Sequence, residues 1–218
     1  MISVAGKLRL HERQIHHYGS GLNALVLLSA FRDDPSDIHL LRAGYAGTSG
    51  PLSNINEEGF ASCAMHSWPQ HLFWDGFSGD YGPNFVGLAL GSGTYLADDP
   101  ESGLVVYGGN LDVKGSLATV QVRDPVRQKI FIGPRRTEIA IDAGIIEEFT
   151  YDLRTGRLTL TLGRLDDAPR LEFVTIWVSR TSTDPEPDIM TTNGGQLETV
   201  RGGTRISFKE QRLKVEIE

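Results

Sequence analysis

The chain has 218 residues, 39% hydrophobic and 22% charged, with a formal net charge of -7 and a pI near 5.4. That length buries a real core without staples, and the composition excludes wholesale disorder. The negative balance disfavours nucleic acid and anionic membrane surfaces as partners. No apolar run approaches the roughly 18 residues of a spanning helix. The opening MISVAGKLRLHERQIHHYG lacks the apolar centre of a signal peptide. A soluble chain without a visible export signal is the expectation. The single cysteine, Cys63, rules out an intramolecular disulfide and reads as a small buried hydrophobe.

The first element in chain order is a helix over GLNALVLLSAF. Leu22, Leu25, Val26, Leu28 and Ala30–Phe31 form its apolar positions, with Ser20 or Gly21 at its start. DDPSD stops it, because Pro35 disfavours helix at the preceding residue. A second short helix in SDIHLLRAGYAG starts from Ser36 or Asp37 and ends at Gly44 or Gly47. Residues 44–84 sustain neither helical nor strand periodicity and read as a long shaped loop, with a short helix around Glu57–His66. A packed helix is expected in PNFVGLALGSGTYLADDP, through Phe85, Leu88, Ala89 and Tyr95–Leu96.

From about Leu104 to Glu218 the pattern changes to short β-type runs. LVVY, LATVQV, QKIFI, TEIAID, IEEFTYD, LTLTL, LEFVTIWV, TRISF and LKVEI are spaced as in a sandwich or barrel. LTLTL at 158–162 and KVEIE at 214–218 alternate strictly, which gives each one buried and one wet face. Thr155-Gly156 reads as the turn of a hairpin, and STDPEPDIMTTNGG as an excursion from the sheet. The fold class is therefore mainly β. An antiparallel β-sandwich occupies 104–218, and an α-helical, loop-rich half occupies 1–103 and packs against it. No nucleotide-binding glycine loop is present.

The chemistry concentrates in HSWPQHLFWDGFSGDYG, residues 66–82, with two imidazoles, two indoles, a phenol and two carboxylates. Sugars have apolar ring faces and a rim of hydroxyls, so their sites combine flat aromatic platforms with carboxylates and amides. Trp68, Trp74 and Tyr81 suit the platforms, with His66, His71 and Asn54 as further substrate contacts. Asp75 and Asp80, with Glu57 within reach upstream, suit the carboxyl pair of glycoside hydrolysis. β-Elimination of a uronic acid would instead use His66, His71 and Tyr81. A buried aromatic cluster that merely holds the loop explains the same residues. Cys63, His66 and His71 lack a matched second pair of ligands, so no metal and no cofactor are expected. Arg123, Arg127, Arg135 and Arg136 read as residues of an exposed sheet face.

The pieces GYAGTSGPLSNI, WDGFSGDYG, VYGGN and VRDPVRQKIFI give residues 10–150 a likeness to a known group. They resemble the C-terminal part of a large, poorly characterised glycosidase-like family of the six-hairpin (α/α) toroid type. The resemblance implies that residues 1–103 are the last helices and loops of a toroid and that 104–218 are the sandwich following it. A whole toroid needs about a dozen helices, so the chain is expected to be a fragment of a longer protein or a reduced form. The implied function is part of a glycoside hydrolase acting on a polysaccharide or oligosaccharide. A polysaccharide lyase portion and a non-catalytic carbohydrate-binding or accessory sandwich are the alternatives. The implied partners are a carbohydrate ligand and either a second copy or the remainder of a larger enzyme, with no nucleic acid and no membrane.

Overall fold

A computed structural model of the chain describes residues 3–5, 14–16, 18–49, 87, 89–164, 171–180, 188–191, 195–208 and 211–218. The chain divides into two compact units, Met1–Ser92 and Gly93–Glu218.

In the first unit, β1 (Ser3–Ala5) and β2 (Gln14–His16) pair antiparallel. Helix α1 spans Tyr18–Asp33 and α2 spans Ile38–Ser49. The expected stop between them is built from two carboxylates. Asp34 accepts from the Ser36 N–H and hydroxyl, and Asp37 caps α2 by accepting from the His39 N–H at 3.1 Å. The buried stripe of α1 is Gly21, Ala24, Leu28 and Phe31. Leu22 and Val26, expected inside, lie outside it, and Val26 is 70% exposed. At about 100° per residue those two positions fall on the far side of the stripe.

Helix α2 does not end at Gly44 or Gly47 but runs on to Ser49. Gly44 serves packing rather than termination. A β-carbon built on it would lie 2.8 Å from Leu28 Cγ, so the missing side chain lets α1 and α2 approach closely. Gly87, in a helical turn with residues 89–91, meets α1 in the same way. Its β-carbon would fall 2.6 Å from the Gly21 carbonyl carbon. That neighbour is backbone and cannot rotate away. Gly87→Ala is therefore expected to cost about 1–3 kcal/mol despite the better helix propensity of alanine. Urea unfolding checks this, and an unchanged or raised midpoint contradicts it.

The second unit is a two-sheet β-sandwich. Its strands are β3 (Thr94–Asp99), β4 (Gly103–Tyr107), β5 (Gly109–Lys114), β6 (Leu117–Val122) and β7 (Lys129–Ile132). They continue as β8 (Thr137–Ile141), β9 (Ile145–Asp152), β10 (Leu158–Gly163), β11 (Phe173–Arg180) and β12 (Ile189–Thr191). The last three are β13 (Leu197–Val200), β14 (Gly203–Ser207) and β15 (Arg212–Ile217). One sheet has the order β12-β15-β10-β9-β6-β5, the other β13-β14-β11-β8-β7-β3-β4. Neighbours pair antiparallel except β3 and β7, which are parallel. Both sheets contribute to one core, with Phe149, Leu160, Val120 and Val215 from the first and Leu96, Ile139, Ile176 and Ile206 from the second.

Period-two patterning produces these faces. Leu158, Leu160 and Leu162 are buried while Thr159 and Thr161 are half-buried. Val215 and Ile217 are buried while Lys214 is exposed. The expected β9–β10 hairpin turns at Gly156, which takes φ +75°. Asp152 accepts from the Arg154 and Thr155 N–H groups there. The bond from Arg154 holds its carboxyl below the usual range. One expectation is corrected at the entry to this unit. Tyr95–Leu96, assigned to a helix, form β3 inside the seven-stranded sheet, which starts at Thr94, ten residues before Leu104. Ser92-Gly93 separates the helical turn from the strand.

Candidate functional site

The residues singled out for chemistry lie outside the described ones: Asn54, Glu57, His66, Trp68, His71, Trp74, Asp75, Asp80 and Tyr81. Among the described residues, polar and aromatic chemistry gathers on the outer face of the seven-stranded sheet, where β11, β14 and β13 lie side by side.

Parity decides which residues face outward. Val174, Ile176 and Ile206 enter the core, so Phe173, Thr175 and Trp177 on β11 face away from it, as do Ser207 and Arg205 on β14. The register sets two rows. Phe173 lies opposite Ser207, whose hydroxyl accepts from the Gln196 N–H at 2.9 Å. Thr175 lies opposite Arg205, which lies opposite Glu198 on β13. The Arg205 guanidinium reaches the Glu198 carboxylate at 3.4 Å.

Phe173, Gln196, Leu197, Glu198 and Arg205 line an open groove of about 370 Å³. Phe173 is 50% exposed, an unusual position for a large aromatic ring on a regular strand. The ion pair is exposed on both sides, so it contributes little to stability and its groups are free to rearrange around a ligand. At the other end of the same face, Tyr95 and Phe131 are buried, with ring centroids 6.2 Å apart. Among the described residues of this face, Phe173 at the β11–β14–β13 end is the aromatic side chain that counts as exposed, while Trp177 and Tyr107 are half-buried.

A second polar cluster lies in the crossover from β6 to β7, in RDPVRQ. Asp124 is 2% exposed. Its Oδ1 accepts from the Val126 and Arg127 N–H groups at 3.0 and 3.1 Å, closing an Asp-Pro turn. Burial pushes its carboxyl above the usual range, against the backbone bonds from Arg127 and Val126, the Arg127 charge and the Thr94 hydroxyl. The Thr94 hydroxyl lies 3.0 Å from the Gly108 carbonyl as well as beside Asp124, and its single proton can serve one of these two acceptors at a time. This cluster is closed and structural.

The arginines expected on a sheet face sit in turns instead. Arg127 and Arg136 adopt left-handed φ of 54° and 48°. Arg135 Nη1 donates to the Gly156 carbonyl at 2.6 Å, and Arg123 donates to Gln121 Oε1 at 3.1 Å. Loop geometry, rather than strand alternation, positions them. Among the described residues no cluster of three His, Cys, Asp or Glu side chains is placed to hold a metal, and no helix is long and apolar enough to cross a membrane.

The groove residues carry a faint signal in the sequence. In LEFVTIWV the aliphatic Val174, Ile176 and Val178 alternate with Phe173, Thr175 and Trp177, so one face of the strand is aliphatic and the other aromatic. The cross-strand partners that make it a groove come from register, which no local pattern reveals. In comparison with known proteins, the model of a family of unknown function matches residues 2–215. No curated protein and no solved structure matches the chain.

Proposed function

The chain belongs to that family of unknown function (DUF5695), and we propose that it is a carbohydrate-active protein whose β-sandwich holds a glycan. The observation that carries this reading is the half-exposed Phe173 ring in an open groove beside a Gln, an Arg and a Glu. A pyranose presents C–H groups on its face and hydroxyls on its rim. A flat ring takes the face, while guanidinium donors and carboxylate acceptors take the rim. The aromatic and carboxylate content of residues 66–82 supports the same class of ligand.

In this reading the chain is part of a glycoside hydrolase of the six-hairpin toroid type. Asp75 and Asp80, with Glu57 nearby, supply the acid and the base or nucleophile. Trp68, Trp74, Tyr81, His66, His71 and Asn54 contact the substrate. One observation favours a second reading, a non-catalytic carbohydrate-binding sandwich. Among its described lining residues the groove has a single carboxylate, Glu198, where hydrolysis uses two.

A glycan array combined with a hydrolysis screen tests the proposal. Binding to uncharged glycans is expected. If a glycan is cleaved, Asp75→Asn and Asp80→Asn are each expected to lower turnover by about 10²–10⁴-fold with the melting temperature unchanged. Full turnover in both variants removes them as the catalytic pair. Binding without turnover selects the second reading, and failure to bind any glycan removes both.

A further inference from the structure

We infer that the glycan is an extended, uncharged chain lying along β11 and stacking on two rings, Phe173 and Trp177; this rests on the carbohydrate reading above. Trp177 follows Phe173 by four residues on the same face of one strand, which sets their α-carbons about 13 Å apart, with side chains standing roughly perpendicular to the sheet. A single pyranose cannot bridge that distance, and neither can a disaccharide. A ligand that touches both rings has about three or more units.

The surroundings of Trp177 suit a platform. Register places Ala140 of β8 beside it on one side, and continuation of the β11–β14 pairing brings Gly203 to the other. A β-carbon built on Gly203 would fall 2.9 Å from Trp177 Cδ1 and 3.0 Å from Nε1. The indole therefore rests against the β14 backbone, in space that any side chain at 203 would fill. Glycine in a strand weakens it, and an aromatic ring laid across the gap offsets that loss. The small neighbours leave the ring partly exposed.

Between the two rings lies the Thr175–Arg205–Glu198 row. Thr175 is buried at its base, and Arg205 and Glu198 are exposed. Hydrogen-bonding groups thus face the middle of a bound chain, while aromatic faces hold its ends. The row carries one positive and one negative charge, already paired, so it has no net charge to attract an acidic sugar. The chain as a whole is negative, which adds repulsion. Two separated rings with charges between them also differ from the contiguous apolar centre of a protein-binding patch.

The test is calorimetric titration of the full chain with cello-, xylo- and manno-oligosaccharides of two to six units, and with oligogalacturonates of the same lengths. Affinity for at least one neutral series is expected to rise about tenfold or more from two units to about four and then level. Trp177→Ala is expected to abolish that rise. Trp177→Phe, which keeps a ring over Gly203, is expected to retain most of it. Galacturonates are expected to bind more weakly at every length. Affinity that is flat beyond two units overturns the inference without touching the carbohydrate reading. So does an undiminished rise in a folded Trp177→Ala protein, and so does tighter binding of the galacturonates. Absence of binding by every oligosaccharide overturns the inference and counts against the carbohydrate reading itself.

Discussion

Truncation of Phe149 to alanine is expected to remove about 3–5 kcal/mol of unfolding free energy. Phe149 is fully buried near the middle of β9. Its cross-strand partners are Leu160 on β10 and Val120 on β6, and both are fully buried too. The walls of the resulting cavity are side chains on hydrogen-bonded strands, which cannot collapse into the gap without breaking ladder bonds. The lost transfer free energy and the cavity term therefore add. Phe149→Leu keeps most of the volume and is expected to cost about 1.5 kcal/mol or less. Against a typical total of roughly 5–15 kcal/mol, the alanine variant loses a large share of its stability. Urea unfolding followed by far-UV circular dichroism measures both. A loss below about 1 kcal/mol in the alanine variant contradicts this placement of the core.

The second large effect belongs to Asp124. Asp124→Ala leaves the Val126 and Arg127 N–H groups without their acceptor in a half-buried turn, at an expected cost of about 2–3 kcal/mol. Asp124→Asn keeps an oxygen for both and is expected to cost under about 1 kcal/mol at neutral pH. The two variants also differ in pH dependence. Burial raises the Asp124 carboxyl above its unfolded value, so the folded state holds the proton more tightly. That contribution to stability is fully present below the unfolded pKa of about 3.9 and is lost as pH rises through the raised folded value. The asparagine variant cannot ionise there. Its stability relative to wild type should therefore improve from about pH 3 to pH 7. Paired melts across that range test the sign, and a relative decline with rising pH refutes it.

Much of the sandwich was legible because its central strands bury one face. LATVQV, TEIAID, LTLTL and LKVEI alternate, and the structure places each in a sheet. The strands that escaped reading have little or nothing to bury. GNLDVK is mostly exposed along its length, and IMT and LETV are short edge strands with weak apolar content. TYLADD reads as helix in sequence because apolar residues continue from GLALGSG into it. Only the long-range pairing of β3 with β4 and β7 decides the matter. Gly44 reads as a helix end in sequence, since a glycine needed for close packing and one needed for a turn look alike there.

The groove has the same character. Phe173 and Trp177 are four apart on one strand, which the sequence displays. Gln196, Glu198 and Arg205 join Phe173 through antiparallel register between β11, β14 and β13, across some thirty residues of chain. Residues 66–82 carry the densest chemical signal by composition, and Phe173 carries the clearest one by geometry.

We propose that this sandwich holds a glycan on the Phe173 groove. The direct measurement is titration of the best-binding array glycan into wild type and Phe173→Ala. The ring is half exposed, so its removal is expected to shift stability by no more than about 1 kcal/mol. Loss of the stacking face is expected to weaken glycan binding about tenfold or more with the melting temperature nearly unchanged. Equal affinity in the folded variant and in wild type would remove the groove as the glycan site.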